Sequence, residues 1–193
     1  MFGQDFFSAV LKGPRITLLP YSEERDFNNI AHLLSDPTLT APMGIPNPCP
    51  FLEELKRAKQ ERLSCEDVGD WTAFLENDFI GEVGIASSNP AFKLVEIFVT
   101  IASEQWGKGL GRESVSVLMK HIFNVEAYAT VRIRTLISNT KALRMCASLG
   151  FKITGSRHVE ADPGRGLQEG TWIIADCHLH EFTPFPETQE TAS

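Results

Sequence analysis

At 193 residues the chain is long enough for one domain with an elaboration, since a domain takes about 150 residues, and 42% hydrophobic with 22% charged residues excludes a disordered polymer. Its 18 Lys and Arg against 25 Asp and Glu give a formal net charge of -7, which speaks against a generic binder of nucleic acid or anionic membrane, because both need a basic footprint. Cys49, Cys65, Cys146 and Cys177 form no CxxC pair, Met1 to Gly13 has no basic n-region, and no apolar run reaches the roughly eighteen residues of a membrane span, so the reading is a soluble, cytoplasmic protein in a reducing compartment.

Arg15 to Leu19 is a β-prone run, followed by Ser22 as a candidate N-cap and by Phe27, Ile30, Leu33 and Leu34 at helical spacing. After Asp36-Pro37 comes a loop rich in proline (Pro42, Pro46, Pro48, Pro50). A second helix then runs from Phe51 to Leu63, with Leu52, Leu55 and Ala58 or Leu63 as its apolar side. Trp71 to Leu75 and Phe79 to Ile85 flank the polar turn Glu76-Asn77-Asp78 as a hairpin, and Leu94 to Ile101 is a third strong strand beyond Asn89-Pro90. Past a glycine-rich stretch, Val115, Leu118, Met119, Ile122 and Phe123 make a clean amphipathic stripe. Thr130 to Ile137 alternates Val131, Ile133, Thr135 and Ile137 against Arg132 and Arg134, as a strand with one face to a core does. A helix from Asn139 to Leu149 stops at Gly150, and Phe151 to Glu160 and Thr171 to Glu181 close the sequence as two strands around the turn Ala161 to Gly166. The polar end, Phe182 to Ser193, is expected to fray.

A strand that runs into Gln105-Trp-Gly-Lys-Gly-Leu-Gly111 and then directly into a helix presents unpaired N–H groups and about half a positive charge, which makes an anion site. Lys108 and Arg112 add cations to an acidic chain. A plain glycine-rich turn is the bland alternative. The spacing excludes a Walker A loop, because Gly107-Lys108 is followed by Gly109 rather than Ser or Thr. It also excludes the dinucleotide fingerprint. Arg112 or Ser114 stands where the third glycine belongs, and the strand Thr130 to Ile137 does not end in a ribose-binding acid.

Trp106-Gly-Lys-Gly-Leu-Gly111 resembles the pyrophosphate loop [QR]-x-x-G-x-[GA] of the GNAT superfamily of acetyl-CoA-dependent N-acetyltransferases. The Trp stands where Gln or Arg is usual, as in the branch that includes ribosomal-protein N-terminal acetyltransferases. Asn139 to Phe151 is similar to the family's N-x-x-[SA] helix ending in L-G-F, and the order of elements from Arg15 to about His180 fits as well. The resemblance implies an α/β (α+β) fold. It would have a mixed, mostly antiparallel central sheet of six to seven strands, a splayed strand pair and about four flanking helices, spanning residues 14–181 between an extension (1–13) and a tail (182–193).

It further implies acetyl-CoA as cosubstrate with no metal. The pantetheine arm would lie along Phe98, Val99 and Ile101 of a bulged strand, with a backbone N–H near Val99 as the oxyanion donor. The pyrophosphate would lie on Trp106, Gly107, Lys108, Gly109, Leu110, Gly111 and Arg112, and Asn139 would bond the pantetheine or, through water, the departing proton. Glu96 is the candidate base, with a structural strand glutamate as its alternative. Where relatives carry a Tyr acid, seven residues after the Asn, this chain has Cys146, either an acid or a small packing residue. Tyr128 sits in a loop and does not take that place.

Other features are read blandly. His178 and His180 alternate on the last strand without a third ligand. Asp162, Arg165 and Gly166 are a hairpin connection, and Phe2, Phe6 and Phe7 pack on the domain or on a second subunit of a monomer-or-homodimer. The acidic surplus, with Glu53, Glu54, Glu61, Glu66, Asp67 and Asp70, leans toward a cationic small-molecule or peptide amine and away from nucleic acid or membrane. The competing functions are a CoA-binding sensor or scaffold without turnover, and an acetyltransferase of a protein N-terminus.

Overall fold

Eight strands form in the computed structural model, which describes residues 2–3, 5–43, 52–160 and 169–186. They are β1 (Leu11–Lys12), β2 (Ile16–Pro20), β3 (Gly69–Leu75), β4 (Asp78–Asn89), β5 (Leu94–Ile101), β6 (Thr130–Leu136), β7 (Lys152–Val159) and β8 (Gly170–His178). One sheet holds them in the order β1-β2-β3-β4-β5-β6-β8-β7. Every neighbouring pair is antiparallel except β5 with β6. The expected mixed, mostly antiparallel sheet is present. Its additional strand is β1, in the stretch read as an extension, where Phe6 is also buried against Trp71 and His121.

The helices are α1 (Glu23–Leu33), α2 (Pro37–Thr40), α3 (Leu52–Leu63), α4 (Leu110–Phe123) and α5 (Thr140–Ser148). The short α2 is not among the expected elements. Asp36 caps it through the Thr38 N–H at 2.8 Å, and it begins on a proline. Ser22 precedes α1 but makes no side-chain cap. Instead its N–H donates to the buried Asp26 carboxylate at 2.9 Å. Among the described residues no helix is long and apolar enough to cross a membrane.

The two faces of the sheet differ in kind. One carries Ile16, Leu18, Trp71, Val83, Ile85, Val95, Ile97, Val131 and Ile133, covered by the Val115, Leu118, Met119 and Ile122 stripe of α4 as its spacing predicts. Each of these four helix side chains is fully buried, worth about 1.5–3 kcal/mol relative to exposure. The other face, under α1 and α3, is polar. Lys59 is the residue α3 buries, while Leu52 is exposed and Leu55 half-buried, so the apolar side expected for this helix is not what seats it. Lys59 Nζ reaches Glu82 Oε2 at 2.6 Å and Asp70 Oδ2 at 3.0 Å, Arg62 also pairs with Asp70, and Arg25 pairs with Asp26 at 2.6 Å. Asp70 is therefore a buried, paired carboxylate and not part of an acidic surface.

The last strand ends at His178. His180 lies in the 3-10 turn Leu179–Glu181, and the two imidazoles stack 5.7 Å apart. The tail does not fray at its start. Phe182 packs on Phe123, Thr183 N–H donates to the Leu149 carbonyl at 3.1 Å, and Phe185 N–H donates to Ser116 Oγ at 2.7 Å. The readings at Cys49, Pro46, Pro48, Pro50, Phe51 and the turn Ala161 to Gly166, with Asp162 and Arg165, fall outside the described residues.

Candidate functional site

β4 and β5 pair as far as Gly81↔Ile101, but β5 and β6 pair only at Leu94↔Thr130, Val95↔Val131 and Glu96↔Arg132. Beyond Glu96 the two parallel strands part, and this is the expected splay. The accompanying bulge is on β4, where the register jumps between Ile85 and Ser87, rather than on β5. Peptide groups alternate sides along a strand. Ala102 N–H donates to the Ile80 carbonyl at 2.9 Å, so Thr100 and Phe98 turn their peptides to β4, and Ile97, Val99 and Ile101 turn theirs to the gap. Of the three residues expected along a bound arm, Phe98 thus has its backbone engaged by β4 and its ring 5.2 Å from the Arg62 guanidinium on the α3 side. The Ile101 carbonyl accepts the Trp106 indole N–H at 2.7 Å. Val99 faces the opening.

The glycine loop follows from this corner. Trp106 ties the end of β5 to the loop, and Lys141 of α5 lies over its ring at 4.0 Å, so the indole fixes the two walls of the opening at one end. Gly107 and Gly109 both have φ of 78°, a region costly for any other residue, and Gly109 is the N-cap of α4 without a capping side chain. The first N–H closing a helical turn is that of Glu113, to the Gly109 carbonyl, so the N–H groups of Leu110, Gly111 and Arg112 lack intrahelical partners.

Arg15 Nη1 donates to the Lys108 carbonyl at 3.0 Å, and Arg15 is itself held by Glu113, a fully buried carboxylate that also accepts the Arg15 and Ile16 N–H groups. Arg112 donates to the Ser148 carbonyl at 3.3 Å, and its Nε is buried without a partner. Arg15, Lys108 and Arg112 around open N–H groups suit an anion carrying more than one phosphate.

At the mouth of the splay, Glu96 Oε2 meets Arg134 Nη2 at 2.7 Å, while Arg132 makes two bonds to Asp176 at 2.8 and 2.9 Å. Burial raises the Glu96 carboxyl above its ordinary value, against the pull of Arg134 and Arg132. Asn139 caps α5 through the Ala142 N–H at 3.2 Å, and its amide donates to the Pro42 carbonyl at 3.4 Å, tying the segment after α2 to the end of the gap. Cys146 is 2% exposed in the core beside Leu149 and Phe151, and burial pushes its thiol up to about 12. Tyr128 is likewise a core residue, bonded to Ser88.

Sequence reasoning missed Arg15, Glu113, Arg134 and the layer of Lys59, Asp70 and Glu82. The one signal for that layer was Lys59 standing four residues from both Leu55 and Leu63 on the helix. Among the described residues no cluster of His, Cys, Asp or Glu is placed to hold a metal ion.

Known proteins share this architecture. A putative acetyltransferase from T. thermophilus superposes with a TM-score of 0.76 at 18% identity, covering 94% of this chain and 93% of that one. The spermidine N-acetyltransferase of Vibrio cholerae, in complex with CoA and spermine, gives 0.74 at 16% identity over 86% and 97% of the chains. RimL, a ribosomal L7/L12 alpha-N-protein acetyltransferase in complex with coenzyme A, gives 0.76 at 14% over 88% and 98%. In sequence, an uncharacterized protein of Methanocaldococcus jannaschii is 34% identical over 101 residues, which are 48% of this chain and only 19% of that relative's length. The family model described as an acetyltransferase (GNAT) domain matches residues 15–152, and the chain belongs to that family.

Proposed function

We propose that the protein is an acetyl-CoA-dependent N-acetyltransferase that moves an acetyl group to a primary amine by direct attack in a ternary complex, with residues 14–181 as its catalytic domain and the cytoplasm as its location. The observation that carries this reading is the opening between β5 and β6 leading into a glycine loop at the start of α4. Residues Trp106 to Arg112 hold the diphosphate, and the arm lies against Val99 and Ile101. The Val99 N–H donates to the thioester carbonyl and stabilises the oxyanion as charge develops there. The amine nitrogen attacks that carbon, the carbon–sulfur bond breaks, and CoA leaves as the thiolate. The amine's proton passes to Glu96, and Asn139 fixes the wall opposite. Complexes of structural neighbours with CoA support the cosubstrate.

Cys146 belongs to the core in this reading. Cys146→Ala is expected to leave kcat within a factor of about three, whereas a loss of about a hundredfold in the thiol-release assay would make it the acid. A free-thiol assay with acetyl-CoA and an amine panel tests the function itself. The second reading, a CoA-binding sensor without turnover, is favoured by the burial of Cys146 at the position where relatives carry a Tyr acid and by the Arg134 contact on Glu96. It predicts CoA binding by calorimetry with no thiol released from any amine.

Glu96→Gln separates base from scaffold. A base works only when deprotonated, and Glu96 holds its proton to a higher pH than an ordinary carboxyl because of burial. The acid limb of kcat/KM is therefore expected above about 4.5. Glu96→Gln should remove that limb and lower kcat by about a hundredfold with CoA affinity unchanged. An unaltered pH profile returns Glu96 to a structural role.

A further inference from the structure

Charge on the polar face of the sheet is almost entirely closed into multiply bonded pairs. Asp176 takes both bonds from Arg132 and one from Thr154 at 2.9 Å, Lys59 bridges Glu82 and Asp70, Arg62 adds to Asp70, and Arg25 closes on Asp26. Glu96 and Arg134 differ. They are joined by a single contact of 2.7 Å at the mouth of the opening, with the Arg134 side chain 52% exposed and that of Glu96 17%. Along β8, Ile174 is the partner of Arg134. Two residues away on the same face stands Trp172, whose indole Nε1 is buried and has no hydrogen-bond partner.

Consider what an acceptor does to this pair. A simple ammonium that reaches Glu96 displaces Arg134 and leaves a guanidinium without a counter-charge beside Arg132. A polyamine adds further cations where, among the described residues, the other carboxylates of this face are already engaged. An amine that carries its own carboxylate exchanges one ion pair for two: its ammonium meets Glu96 and its carboxylate meets Arg134. The total charge is unchanged and no buried group loses its partner.

We propose that the acceptor is a small zwitterion, a free amino acid or close analogue, and that Arg134 is the residue that selects it. This rests on the acetyltransferase reading and reverses the lean toward a purely cationic amine drawn from the acidic composition.

The test is a thiol-release assay on the full chain with acetyl-CoA and the common amino acids, each paired with its amide and its decarboxylated amine. Spermidine and a neutral short peptide complete the panel. The best acceptor is expected to be a free amino acid, exceeding its own amide by about tenfold or more in kcat/KM, and Arg134→Gln should shrink that margin to about one. Arg134→Lys should restore part of it, and calorimetry with CoA reports that the variants are folded. An amide, amine, peptide or spermidine turned over as well as the amino acid overturns the proposal, as does a margin that survives in Arg134→Gln. These results leave the acetyltransferase reading standing. CoA binding with no thiol released from any acceptor overturns both.

Discussion

Gly109→Val is expected to weaken CoA binding by at least about a hundredfold in calorimetry, the largest functional effect we anticipate from one substitution. The cause is backbone geometry. Gly109 ends the loop at φ of 78° and starts α4, so its backbone conformation sets the orientation of the peptides on both sides of it. A β-branched residue there costs about 1–2 kcal/mol in the left-handed region, and the loop relieves that cost by rotating those same peptides. Space is not the issue, since a Cβ at Gly109 would lie 3.5 Å from Arg15 and 3.8 Å from Phe185, ordinary contacts. The variant should therefore remain folded, with a modest fall in Tm. Full CoA affinity in Gly109→Val would remove the loop from the proposed site.

Lys59→Met is expected to be the most damaging single change to stability, about 3–5 kcal/mol, because it leaves Glu82 and part of Asp70 buried without a counter-charge. The loss should depend on pH in a defined direction. Burial raises the Glu82 carboxyl above its ordinary 4.5, with Lys59 the principal group pulling it down. A carboxyl raised in the folded state supports folding fully below its unfolded value, and that support is lost as pH rises through the folded value. Removing Lys59 raises the folded value further, so urea unfolding should show the variant nearest to wild type in acid and falling away as pH rises above about 4.5. Adding Glu82→Gln should recover much of the deficit. A pH-independent deficit, or none, would mean that Lys59 contributes only its alkyl stem.

β5 and the helix after the loop were legible because each has one clear period, whereas β1, two residues long, carries no periodic signal. β5 matches Leu94–Ile101 residue for residue, and of the α4 stripe Val115, Leu118, Met119 and Ile122 are fully buried and Phe123 partly so. The glycine loop was legible as well, since it is local in sequence. What escaped is non-local. Nothing near Lys59 in sequence announces that Asp70 and Glu82 lie beneath it, and helical periodicity alone would seat α3 on its leucines. Arg134 read as the solvent side of an alternating strand, which holds for its exposure but not for its partner on the neighbouring strand. The tail read as frayed from its proline and polar content, whereas Phe182 and Phe185 anchor its start to α4. The bulge was expected on β5 and lies on β4, because a register shift needs both strands to locate it.

The parallel joint between β5 and β6 spans three residue pairs, in contrast to the seven registered between β6 and β8. The sheet is accordingly two leaves stitched by a short seam, with α4 and α5 as the backing. On the proposed function, a molecule lodged in the unzipped length would bond one leaf along its edge and rest against the other, standing in for a missing strand. Occupancy would then complete the sheet, and the mechanical integrity of the seam would be shared between protein and ligand.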